Sequence, residues 1–153
     1  MVDVGMLNAG YLFAGAGDDL VKPVFDIAHV VRFAAGETIF REQEEASHLY
    51  ILQAGLVTLS MSFLHEGKTL HVNLKKVQPG DLFGWSAVTT ARRLSAQARA
   101  ESDSEVIQLP GDRLRVLMDA DPRLGYHVMS RLTDLASSRL RDTREQVRML
   151  LGW

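Results

Sequence analysis

The feature that most limits how this chain can fold is a series of short apolar runs cut by glycine turns, which ends near Leu109 and gives way to a helical repeat. Between Val31 and Leu109, the runs VVRFAAGETIFR, HLYILQAGLVTLSMSFL, LHVNLKKVQPGDLFG and SAQARAESDSEVIQL show partial period-two alternation. Turns at Ala35-Gly36-Glu37, Gln53-Ala54-Gly55, His65-Glu66-Gly67-Lys68 and Gln78-Pro79-Gly80-Asp81 punctuate them. Strand signals this closely spaced predict an all-β sandwich or barrel. HEGK, between SMSFL and TLHVNL, predicts a hairpin, because Gly67 can take the positive φ such turns use.

Helices are predicted on both sides of this region. Residues 1–30 form a lead-in, with a short helix opened by Asp18 or Asp19 and Pro23 near its start. Its apolar side would carry Val24, Ile27, Ala28 and Val31. The β region spans 31–109, and Pro110-Gly111-Asp112 opens a short helix over 111–120. Asp121 and Pro122 then restart a helix as N-cap and first helical residue. Over 121–151, Leu124, Val128, Leu132, Leu135, Leu140, Val147 and Leu150 recur at helical steps, with a gap around Thr143. About 28 residues at about 1.5 Å each give a helix of about 42 Å. A small barrel does not cover that length, so part of the seam is expected to pack on a second copy of the chain.

Composition narrows the chemistry. At 153 residues and 46% apolar, residues 1–153 can bury one core as a single domain. A net charge of −2 and a pI near 6.2 give no global attraction to nucleic acid or acidic lipid. With no cysteine, disulfides, thiol nucleophiles and thiolate metal sites are excluded. The opening MVDVGMLNAGYLF lacks a basic n-region and a long apolar core, and no run reaches about 20 apolar residues. A cytoplasmic protein without membrane contact is expected. Gly84-Trp85-Ser86 begins like a nucleophile elbow, but the second glycine is replaced by Val88 and the surroundings are all-β. The histidines at 29, 48, 65, 71 and 127 fall in separate elements, no metal-ligand spacing occurs, and Gly15-Ala16-Gly17 reads as a mobile turn. Glu42, Glu44 and Glu45 read as solvated turn residues. No enzyme, metal or resident cofactor is expected.

Residues 36–55, GETIFREQEEASHLYILQAG, carry a glycine, an isoleucine three on, an acidic linker and a Tyr-x-Leu-x-x-Gly strand end. PGDLFGWSAV and SAQARAESDSEVIQL continue the register. This pattern, across about residues 12–150, resembles the cyclic-nucleotide-binding domains of the catabolite-activator (Crp/Fnr-like) type. The resemblance implies a jelly roll of about eight antiparallel strands, then a short helix and a long helix that forms a dimer seam. It also implies that a cyclic phosphate sits against the glycine turn and short helix, held by a serine and an arginine of the following strand. Carried onto this chain, the ligand-binding residues are Phe83, Gly84, Trp85, Ser86, Ala87, Arg93, Leu94 and Ser95.

Three positions depart from that pattern. Trp85 replaces the glutamate that would hold a ribose hydroxyl, Leu94 replaces the arginine before the serine, and Gln43 replaces a glycine of the acidic turn. Arg93 is one residue off, which in an extended strand is the opposite face, so it serves only if the loop bends. Trp85 either stacks on a base or plugs the site, and Arg92 and Arg93 are either a phosphate clamp or surface charges. The expected function is a regulatory domain that binds cAMP, cGMP or another small anion and signals through its C-terminal helices as a homodimer. The alternative is a degenerate, ligand-free interaction module of the same fold. The arginines after residue 121 alternate with acids, Arg141 and Glu145 being an i,i+4 pair, so nucleic acid is not expected as a partner. The sequence closes on Leu151-Gly152-Trp153, without space for a helix-turn-helix.

Overall fold

The computed structural model describes residue 2 and residues 4–152; Met1, Asp3 and Trp153, the second indole of the chain, lie outside the described residues. Two short helices, α1 (Val4–Ala9) and α2 (Asp18–Phe25), precede β1 (His29–Phe33), β2 (Thr38–Phe40), β3 (His48–Ala54), β4 (Val57–His65) and β5 (Lys68–Val77). There follow β6 (Leu82–Phe83), a single 3-10 turn over Trp85–Val88, β7 (Gln97–Ala100), β8 (Ser104–Pro110), α3 (Gly111–Ala120) and α4 (Pro122–Leu150). The strands form two four-stranded antiparallel sheets, ordered β1-β8-β3-β6 and β2-β7-β4-β5. This is the expected jelly roll followed by a short and a long helix.

The central strands of the first sheet, β3 and β8, are buried on both faces, which explains the continuous apolar run from Leu49 to Leu52. In β3, Tyr50 and Leu52 point between the sheets, while Leu49 and Ile51 point toward the helices. β8 divides the same way, with Val106 inside the roll and Ile107 and Leu109 outside it. The inner core is floored by Phe40, Tyr50 and Phe83, whose ring centroids lie 5.2–6.0 Å apart. The outer core joins the lead-in residues Leu12 and Phe13 to Leu114 of α3 and to Leu124, Val128 and Leu132 of α4.

Several local expectations are met. The HEGK turn pairs His65 with Lys68 and places Glu66 and Gly67 at φ 48 and 75. Asp121 caps α4, its side chain accepting from the Arg123 N–H. Others are corrected. Pro23 lies in the last half of α2, two residues before its end, where it removes one N–H that would otherwise donate to the Asp19 carbonyl. Glu42 is half-buried rather than solvated, its carboxylate accepting from the Ser62 N–H at 2.6 Å. Glu145 pairs with Arg148 one turn on, at 3.2 Å, and not with Arg141. The turn around Gly15 is tied down, because Arg131 of α4 donates to the Ala14 carbonyl at 2.7 Å.

Two glycines fix the join between roll and helices. Gly84 has φ 74 and opens the 3-10 turn with the Tyr50 ring 3.0 Å and the His48 carbonyl 3.1 Å from where a Cβ would stand. Gly111, at the start of α3, leaves no space at all: a Cβ would meet the Ala87 carbonyl oxygen at 2.4 Å and the Ala87 Cβ at 2.8 Å. We expect Gly111→Ala to cost about 2 kcal/mol by overpacking, a fall in Tm of roughly 4–8 °C at this size. Gly67→Ala, at φ 75 with nothing within 4 Å, should cost about 1 kcal/mol for its backbone conformation alone. Thermal melts of the two variants test this, and equal losses would refute the close approach at Gly111.

Candidate functional site

The strongest candidate is a cavity of about 50 Å³ between the glycine turn, the segment before β7, and α4. Gly84, Trp85 and Ser86 form one wall, Leu94, Ser95 and Ala96 another, Phe40 and Leu59 the floor, and Arg139 of α4 closes it. Each wall follows from local chemistry. The left-handed Gly84 turns the chain out of β6 so that Trp85–Val88 can make one 3-10 turn. The far end of that turn is held by α3: Arg115 donates to the Ala87 carbonyl at 2.9 Å, and Asp112 receives Arg115 and Arg92 at 3.7 and 3.4 Å.

The opposite wall is set by a short antiparallel ladder. Ala46 N–H donates to the Arg92 carbonyl, Leu94 N–H to Glu44, and Gln43 N–H to Leu94, with Glu45 opposite Arg93. Gln43 holds φ 66, the left-handed conformation for which its position favours glycine, and Arg92 holds φ 48. Within this ladder the two-residue period decides orientation. Leu94 points inward and is buried, whereas Arg93 is exposed and donates to the Gln43 carbonyl at 2.8 Å. The loop does bend at Arg92, but the bend does not turn Arg93 into the cavity. The expectation of an Arg93 guanidinium beside Ser95 is therefore corrected.

The remaining sequence-derived residues divide cleanly. Gly84, Trp85, Ser86, Leu94 and Ser95 are brought together on the cavity. Phe83 and Ala87 lie behind it in the inner core. Burial first of all pushes the Tyr50 phenol behind the site above its ordinary value.

Arg139 is the residue that sequence reasoning missed. Among the described residues it is the one charged side chain lining this cavity. Its guanidinium carbon lies 4.5 Å from the Trp85 ring centroid, a cation–π stack. Its Nε is buried and donates to no acceptor among the described residues. Burial pushes its pKa below the usual arginine value, against a weaker pull upward by Asp81 and Asp142. The group stays cationic all the same. No signal in the text marks it, because it falls on the half of α4 where charges of both signs alternate.

Neighbouring space is larger. A cavity of about 230 Å³ lies beside the first and shares Trp85, Ser95 and Arg139 with it, adding Lys75 and Thr143. A third, of about 250 Å³, is lined by Tyr11, Lys75, Asp134 and again Arg139. Sites for small organic ligands usually enclose roughly 300–1,000 Å³, so with Arg139 in this position the first cavity is too small for a nucleotide. Among the described residues no group of three or more metal-ligating side chains occurs, and no helix is long and apolar enough to cross a membrane.

This geometry has relatives. Over 72 residues the chain is 42% identical to the transcriptional regulator LdrP of Thermus thermophilus, a match covering 46% of this chain and 35% of that protein. The chain thus spans about a third of the length of the curated regulators it matches. Its fold superposes with TM-score 0.78 on a Geobacter metallireducens protein assigned as cyclic nucleotide-binding, at 27% identity over 92% of this chain and 99% of that one. It superposes on the Thermus thermophilus catabolite activator protein with TM-score 0.74, at 25% identity over 92% of this chain and 63% of that one. The sequence profile described as the cyclic nucleotide-binding domain matches residues 30–121, more than half the chain and the whole of the roll from β1 onward. The chain belongs to the cyclic nucleotide-binding domain family.

Proposed function

We propose that this chain is a non-catalytic, cytoplasmic regulatory domain that takes a cyclic nucleotide or a similar small anion in the cavity between residues 84 and 96. It relays occupancy to α3 and α4 and works as a homodimer through residues 121–151. The observation that carries the reading is that a single cavity touches both the glycine turn and α4. A group entering it presses on the roll and on the output helix at once. A second link runs from the Ala87 carbonyl through Arg115 to the first turn of α3.

The dimer reading rests on the far half of α4. Leu124, Val128 and Leu132 are buried on the roll, but Leu140, Val147 and Leu150 are 52%, 48% and 86% exposed. Tyr126, Leu140, Val147 and Leu151, all exposed, fall on one register of alternating four- and three-residue steps, the register of a two-helix seam. Placing Glu at Leu140 and Val147 together should convert a dimer into a folded monomer with unchanged helix content, read by light scattering and circular dichroism. A wild-type chain that is monomeric at high concentration would remove the dimer from the reading.

One observation favours the alternative, a ligand-free interaction module. Trp85 and Arg139 leave only about 50 Å³ in the site, room for a few waters at about 10–15 Å³ each. Titration of cAMP and cGMP, followed by Trp85 emission in a Trp153→Phe background, separates the two. The regulatory reading expects a saturable change with at least one nucleotide. A flat response to both at millimolar concentration supports the module.

A further inference from the structure

Three cavities meet at one side chain. Arg139 borders the small cavity at the glycine turn, the adjacent one of about 230 Å³ and the third of about 250 Å³. The first two also share Trp85 and Ser95, so the stacked Trp85–Arg139 pair is the partition between them. Moving the guanidinium off the indole opens the small cavity into its neighbour, and together they approach the lower end of the range for organic ligands. The same side chain brings a charge. The guanidinium borders a cavity also lined by Ser86 and Ser95, its Nε lacks an acceptor among the described residues, and the position where a strand arginine would serve is filled by buried Leu94. A buried donor without an acceptor is costly, and an entering oxyanion would satisfy it.

We propose that Arg139 of α4 is the cation that receives the anionic group of the ligand, and that its movement off the Trp85 ring joins the two cavities into one binding chamber. The ligand class is an oxyanion attached to a body large enough to fill the second cavity, such as a nucleoside cyclic phosphate. This rests on the regulatory reading above. It adds that the anchoring charge comes from the output helix, not from the roll, so that binding and helix position are coupled through one residue. Trp85 then serves as the resting seat of the guanidinium when no anion competes for it.

The test uses the full chain in a Trp153→Phe background, with Arg139→Met and Arg139→Lys as variants. Affinity for cAMP, cGMP and inorganic phosphate is measured by calorimetry, and Trp85 emission is recorded throughout. Leu132 is the last buried residue of α4 and Arg139 lies about two turns beyond it, so both variants should stay folded, losing at most the stack on Trp85. Exchange of the Trp85 stack for a charge-assisted bond predicts roughly fivefold weaker nucleotide binding in Arg139→Met. The lysine variant should fall between them, and Trp85 emission of the unliganded protein should already shift in Arg139→Met. If the wild type and Arg139→Met bind a nucleotide equally, with the same emission change, the anchor is refuted and the regulatory reading stands. If Arg139→Met binds where the wild type does not, Arg139 is an internal plug and the anchor is again refuted. If neither protein binds any of the three probes, the anchor and the regulatory reading fall together.

Discussion

Everything in this molecule is arranged around two central strands, β3 and β8, that are buried on both faces. β3 and β8 send alternate side chains into the roll and into the helical layer, so one register error would exchange two cores at once. That double burial is what makes the glycine turn at residue 84 obligatory. The chain leaves β6 beside Tyr50 and must turn with almost no clearance, which only a residue without a Cβ allows. The 3-10 turn that follows is thereby placed between the roll and α3, and the cavity forms in the gap.

Charge is distributed around that cavity in an unusual order. On the roll side, Arg92 and Arg93 are spent on Asp112 and on the Gln43 carbonyl, at the surface. The guanidinium that does reach the interior belongs to α4 and is stacked on an indole. Burial makes that location expensive for a cation, and the quadrupole of Trp85 offsets part of the cost. The substitution of tryptophan for the carboxylate expected by family resemblance and the appearance of a helix arginine in the site are therefore one feature. A carboxylate there would pair with Arg139, whereas the indole leaves its Nε available.

Much of this was legible in the text and some was not, for definite reasons. Strands read well because burial on one or both faces writes a two-residue period or a continuous apolar run, as in HLYIL. The Glu66-Gly67 turn and the Asp121-Pro122 restart read well because their backbone chemistry is local. The inward turn of Leu94 and outward turn of Arg93 also follow from the period, once the ladder with residues 43–46 is known. Arg139 was illegible because its partner, Trp85, is distant in sequence and its own neighbours are charged and solvated. Glu42 hid for the same reason: its bond to the Ser62 N–H exists only after β4 folds beside the acidic turn. The burial of Leu12 and Phe13 left no period to read, since the lead-in packs as an irregular segment against α4.

The energies involved bound how such a domain could signal. The Arg139–Trp85 stack is worth about 0.5–2 kcal/mol, and a charge-assisted bond to an entering oxyanion about 1.5–3 kcal/mol. The difference, on the order of 1 kcal/mol, is all that this residue can lend to a change in α4, because a ligand moves an equilibrium only by its differential affinity. That corresponds to a shift of several-fold in population, not an all-or-none switch. A larger effect needs a second contact that differs between the two helix positions. The Ala87–Arg115 bond is suited to this, because it ties the other end of the same 3-10 turn to α3, with Asp112 holding Arg115 from the first helical turn. Two modest couplings that start from one turn and act on consecutive helices can add where neither suffices alone.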